Sequence, residues 1–148
     1  LPDDLSQAQF AITVPVALLT IDEPKLRAAA GSEFASEVPD SARDGTRKNM
    51  LGEALLDGDR YPGIELRTIA VERTAAGFNA RVRVTVKSQE SEHVVPLDVA
   101  ATAERITASG SFKLRQSALG LTPFSVMLGA LAVQDELQVT LRVVALAT

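Results

Sequence analysis

The clearest pattern in the chain is a two-residue alternation between Gly77 and Arg115. Phe78, Ala80, Val82, Val84 and Val86 share one parity; Asn79, Arg81, Arg83, Thr85 and Lys87 share the other. Ile106, Ala108, Gly110, Phe112 and Leu114 repeat the pattern against Thr107, Ser109, Ser111, Lys113 and Arg115. Leu137, Val139, Leu141 and Val143 show it again near the end. Successive side chains of a strand point to opposite faces, so this period predicts antiparallel sheet with one buried and one wet side. A helix would space its apolar residues three or four apart.

The same reading places the other elements. Phe10, Ile12, Val14 and Val16 alternate inside Ala8 to Ile21, and Pro15 marks an edge, a bulge or the end of that strand. Asp22 as a cap, with Pro24 in the first turn, predicts a short helix over Lys25 to Ala30, closed by Gly31. A second helix is expected from Ala42 to Leu56, capped by Asp40 or Ser41. Met50 with Ala54, and Leu51 with Leu55, give it an apolar stripe, while Gly45 and Gly52 weaken it by about 1 kcal/mol each. Strands follow over Ile64 to Arg73 and around a turn at Ala75-Ala76-Gly77. A polar hairpin tip is expected at Gln89-Glu90-Ser91, a turn near Ala101 to Glu104, and a last strand over Glu136 to Ala147.

Gln116 to Gln134 carries no charge, but Ser117, Gly120, Thr122, Pro123, Ser125 and Gly129 interrupt it. It therefore reads as a loop plus a short strand over the mouth of an apolar interior, rather than as a membrane span. The result is one all-β domain over residues 1–148, with six strands and two short helices. An open sheet of this length exposes long edges, which closure into a barrel would remove. A barrel that holds a small ligand has about eight strands, more than the six in hand.

Composition narrows the chemistry. The chain has no cysteine, so no disulfide or thiolate site is available, and its net charge of -4 gives no general attraction to nucleic acid. The aromatic residues Phe78 and Phe112 fall on the apolar parity and are not placed to stack bases. His93 is the only histidine, and it shares its alternation with Val95 and Leu97, as a strand histidine bonded to backbone or water would. Asp22, Asp57 and Asp59 are explained as cap and turn residues. No catalytic cluster, metal site, cofactor motif or phosphate-binding glycine loop emerges. What remains is a smooth aliphatic face that suits an apolar molecule.

Three stretches carry a family likeness. RKNMLGEALLDGDRYPGIELR (Arg47 to Arg67), TVKSQESEHVVPLDV (Thr85 to Val99) and SGSFKLRQSALGL (Ser109 to Leu121) resemble, in order and spacing, the helix-to-strand passage, central hairpin and later strand of YceI-like domains. The closing VQDELQVTLRVVA also agrees in placement. The resemblance implies an antiparallel, lipocalin-like β-barrel with a helix closing one end, binding polyisoprenoid or other lipid-like molecules without catalysis. It implies a bacterial, periplasmic or secreted protein, with the cytoplasm left open. One or two strands would precede Leu1, so the chain reads as lacking its first hairpin, and upstream residues are expected to pair with the free edges. A second chain is the alternative, which leaves a dimer open. The family's Arg-Asp pair falls on Thr46 and Arg47 and its histidine on Asn49. Gln89 stands for the hairpin glycine and Leu119 for a common phenylalanine.

The expected inner wall comprises Phe10, Ile12, Leu66, Phe78, Val82, Val84, Phe112, Leu114, Val139 and Leu141, with Met50 and Leu55 from the second helix. Arg47 and Asn49 are the expected contacts for a ligand head group. The function expected is non-enzymatic binding of an isoprenoid- or acyl-chain-like ligand. The competing reading is a structural or interaction module with its interior packed shut.

Overall fold

The computed structural model describes residues 5–129 and 131–146. Its strands are β1 (Ala11–Pro15), β2 (Gly63–Thr74), β3 (Gly77–Val86), β4 (Gln89–Ala101), β5 (Arg105–Arg115), β6 (Ser125–Val126), β7 (Leu131–Ala132) and β8 (Glu136–Leu146). Two helices, α1 (Pro24–Ala30) and α2 (Asp40–Leu51), lie between β1 and β2. Six strands form one antiparallel sheet in the order β1-β2-β3-β4-β5-β8, and β6 pairs with β7 in a separate ladder. Among the described residues the ladder does not join β1 to β8, so the fold is an antiparallel sheet with short helices and two free edges. The expected end of the last strand at Ala147 lies outside the described residues.

The inward face is the one the alternation selects. Leu66, Val82, Val84, Phe112, Leu114 and Leu141 are buried in one apolar cluster, and Phe10, Ile12, Phe78 and Val139 pack against it. Val71 joins that cluster although it has the opposite parity to Leu66. The β2–β3 register slips between Thr68 and Ala70, leaving Ile69 as an extra, exposed residue. A bulge of this kind reverses the facing of everything beyond it and bends the strand.

Three local expectations need correction. The β3–β4 turn is Lys87-Ser88, both at positive φ (48° and 65°), and Gln89-Glu90-Ser91 belongs to β4. Two consecutive left-handed residues match the twist of a tight hairpin, but the usual asparagine-glycine signal is absent here. Helix α2 starts at Asp40 and stops at Leu51, because Gly52 leaves helical geometry (ψ 166°) and the following turn folds back. Leu56 N–H then donates to the Met50 carbonyl and Gly58 N–H to that of Leu51, at 3.1 and 2.9 Å. Neither helix has the expected side-chain cap: Pro39 and Glu23 occupy the cap positions. Asp22 instead pairs with Arg27 at 2.7 Å.

The sheet also has a seam. The β4–β5 ladder begins only at Leu97↔Gly110, so the first half of β4 has no ladder to the second half of β5. Pro96 stands where the ladder stops, and it has no N–H to contribute. The strands approach so closely at this point that a β-carbon on Gly110 would lie 2.5 Å from the Pro96 carbonyl oxygen. Gly110→Ala should therefore destabilise the domain by about 1–3 kcal/mol, the range for forcing extra atoms into a packed site. Gly45→Ala, in α2 with nothing within 4 Å of its added methyl, should instead gain up to about 1 kcal/mol. Urea denaturation midpoints of the two variants check both signs.

Candidate functional site

At one end of the sheet lies an apolar cavity of about 450 Å³. Its walls come from four parts of the chain. Ile64, Val86, Leu114 and Leu137 are terminal inward residues of β2, β3, β5 and β8. Thr46, Asn49 and Met50 come from α2, with Leu55 and Leu56 from the turn after it. Leu119, Leu121, Phe124 and Val133 come from the segment between β5 and β8, and Leu19 and Gln116 complete the lining. Among the described residues no Asp, Glu, Lys, Arg or His lines it.

The uncharged stretch after Gln116 forms a flap with a stapled base. A short 3-10 turn (Ser117–Leu119) leads to the β6–β7 ladder, and Leu119 is almost fully buried. At the base, Gln116 N–H and its side-chain amide donate to the carbonyls of Asp135 and Gln134, at 2.9 and 2.8 Å. Ser117 donates its N–H and its hydroxyl to the two oxygens of the Asp135 carboxylate, at 2.7 and 2.6 Å. These bonds hold the Asp135 carboxyl below its ordinary value of 3.8. The expected loop and short strand thus prove to be a two-stranded flap bordering the cavity.

The expected site residues separate into groups. Asn49, Met50, Leu55 and Leu114 line this cavity. Phe10 and Phe78 line a smaller one of about 120 Å³ at the opposite end of the sheet. Leu66, Val82, Val84, Phe112 and Leu141 lie between the two in the packed core, with Ile12 and Val139 half-buried against it. Arg47 does not face the cavity: its guanidinium donates to the carbonyls of Leu19 and Ala17, at 2.8 and 2.6 Å. It therefore ties α2 to the segment after β1. Asn49 stays on the cavity wall and is exposed. Sequence reasoning did not include Leu121, Phe124 and Val133 among the lining residues; the lack of charge between Gln116 and Gln134 was the available signal.

His93 lies at the seam. Its Nε2 is 2.9 Å from the Ser91 hydroxyl oxygen, and its ring stands 4.8 Å, centroid to centroid, from that of Phe112. Burial lowers its pKa from the usual 6.5, partly opposed by a hydrogen bond to the Lys113 backbone. It thus fills the gap where β4 and β5 lack a ladder. Among the described residues no group of three or more His, Cys, Asp or Glu could hold a metal ion. No helix there is long and apolar enough to cross a membrane.

Two outcomes follow from this geometry. The folded state favours neutral His93, while the unfolded chain takes up its proton near 6.5. Stability from this residue is therefore complete above that pH and falls as the pH drops below it. His93→Gln should remove that loss from denaturation curves measured between mildly alkaline and mildly acidic buffer. Arg47→Met should cost about 1–2 kcal/mol, because two carbonyls lose a charge-assisted partner. Arg47→Lys should recover only part of this, since an ammonium lacks the planar fork. Thermal melts distinguish the two.

Comparison with known proteins bears on the same geometry. A family model described as "YceI-like domain" matches residues 1–145. No curated protein matches the sequence significantly. Among solved structures, Burkholderia cenocepacia BcnA is similar with a TM-score of 0.59 and 23% identity, over 69% of this chain and 64% of that one. The chain therefore spans less than two thirds of that relative. A mutant CJ YCEI protein with a monobromobimane guest is similar with a TM-score of 0.69 and 11% identity, over 99% of this chain and 77% of that one. The Campylobacter jejuni YCEI protein that crystallizes with large solvent channels gives 0.65 and 11%, over 95% and 73%. At these identities the structural likeness concerns the fold.

Proposed function

This chain belongs to the YceI-like domain family, and on that premise we propose that it binds an apolar, isoprenoid- or acyl-chain-like ligand without converting it chemically. The observation that carries this reading is the cavity of about 450 Å³ with no charged wall residue among the described residues. Its size falls within the range of small-molecule sites. An ionised group drawn inside would have no counter-charge, and burying it unpaired is costly. An aliphatic chain would meet leucine, isoleucine, valine and phenylalanine, with polar side chains at Thr46, Asn49 and Gln116.

The outer edges of β1 and β8, unpaired among the described residues, favour a closed, lipocalin-like form in which a further strand joins them. Family membership favours an exported, periplasmic or secreted domain. The packed middle of the sheet favours the alternative of a structural module only for that region, since the end cavity stays open.

Native mass spectrometry of the purified protein, followed by solvent extraction, tests the proposal. A co-purifying apolar molecule is the expected result. Met50→Trp, which places a larger side chain on the cavity wall, should weaken retention by roughly tenfold, equivalent to about 1.4 kcal/mol. Absence of any bound apolar molecule, together with no uptake of added ones, would favour the packed structural module.

A further inference from the structure

The flap between β5 and β8 ends in an exposed apolar tip. Its two strands pair Ser125 with Ala132 and Val126 with Leu131, so the connection between them reads Met-Leu-Gly-Ala. Turns normally begin with Gly, Asn, Asp, Ser or Pro, for their backbone freedom or their local hydrogen bonds. Here Met127 and Leu128 both take positive φ, 54° and 55°, a region that bulky side chains rarely adopt. They also stand in solvent: Met127 is 72% exposed and Leu128 110%, with Val126 beside them at 40%. Neither backbone preference nor burial within the domain accounts for these two side chains. Nearer the base, Val133 N–H donates to the Phe124 carbonyl at 2.9 Å. Both residues line the large cavity and are still 49% and 39% exposed. One apolar strip thus runs from the cavity wall to the tip of the flap.

We propose that this tip docks the domain on the surface of a lipid bilayer, with Met127 and Leu128 entering the acyl region beside the cavity. Exposed apolar side chains gathered in one place mark a partner surface, and two arguments choose lipid as the partner. The first is charge. Gln116 to Gln134 carries no ionisable side chain, and the chain's net charge of -4 lies entirely outside it. Such a tip buries no charge on entering hydrocarbon, and an acidic protein is not drawn to anionic headgroups. Zwitterionic phospholipid is therefore the surface it fits. The second argument is size. A stable contact between proteins buries about 800 Å² per partner, from roughly 20–30 residues. The flap's strands have two residues each, and with their short connection they are too small for that. A few apolar side chains in a bilayer give weak, reversible attachment that scales with the area buried. Reversible attachment suits exchange: a ligand leaving the bilayer would pass from acyl chains to the flap and the cavity wall with little exposure to water. The exchange role rests on the binding function proposed above; the docking does not.

Co-sedimentation of the whole protein with phosphatidylcholine vesicles tests the docking. Binding is expected, and it should weaken little as salt is raised. The informative variant combines Met127→Asn with Leu128→Asn. Asparagine takes positive φ more readily than methionine or leucine, so the melting temperature should hold or rise. Vesicle binding should nevertheless fall by roughly tenfold or more, because two apolar side chains no longer enter the bilayer. Leu128→Asn alone, with a smaller loss, serves if the double variant does not fold. Transfer of a fluorescent apolar dye from vesicles to the protein should slow by a similar factor, with the amount held at saturation unchanged. No vesicle binding by the unmodified protein overturns the proposal, as does binding that the folded variant retains. Binding that requires anionic lipid and disappears in salt overturns it too, since charge would then be the cause. Self-association in sedimentation velocity, lost in the variant and unaccompanied by vesicle binding, would make the tip a contact between copies instead. Unchanged dye transfer in a variant that no longer binds vesicles overturns the exchange role. Vesicle binding by a protein that holds no dye overturns the binding function, a result distinct from loss of docking.

Discussion

A sheet with one aliphatic face cannot leave that face in water, and most of the molecule can be understood as a response to this constraint. The middle of the inward face is covered by its own curvature: side chains from the sheet's strands meet across the interior and exclude solvent. At the flap end their own side chains do not suffice. There the chain supplies other cover, from α2 and its following turn, the segment after β1, and the flap between β5 and β8. The cover is looser than the core, which is why the larger cavity lies there.

Curvature itself has identifiable causes. The bulge at Ile69 bends β2 and lets both Leu66 and Val71 face inward. Pro96 and Gly110 act together at the seam, one ending the β4–β5 ladder and the other permitting the strands to touch. His93 then occupies the gap, with Ser91 and the Lys113 backbone meeting its polar atoms and Phe112 its ring. A polar ring is tolerated so near the core because its nitrogens have partners.

Charge is kept out of the cavity by being used elsewhere. Arg47 is spent on two backbone carbonyls, Asp135 on Ser117, and Arg83 on Glu90 and Glu92 at the outer face of the β3–β4 hairpin. The exposed pairs add little stability individually. Arg47 and Asp135 matter through position: they fix the helix and the base of the flap, the two covers that decide how much space remains between them.

The sequence by itself determined which residues face inward, because a period of two leaves a strand only two possible faces and only one of them is apolar. It also marked the run after Gln116 as cover for an apolar interior, from its lack of charge. The family likeness was legible in the same motifs. Local backbone geometry was less legible: a Lys87-Ser88 turn carries no glycine, and an inserted residue such as Ile69 looks like any other member of an apolar strand. Only the tertiary structure decided how the inward residues divide between the two cavities and the packed core. Alternation fixes facing but not depth, and whether Phe112 lines a cavity or packs into the core depends on what the neighbouring strands place beside it. Arg47 turned toward carbonyls on another segment for a related reason. Ala17 and Leu19 are far from it in sequence and become its partners only when α2 folds back over the end of β1.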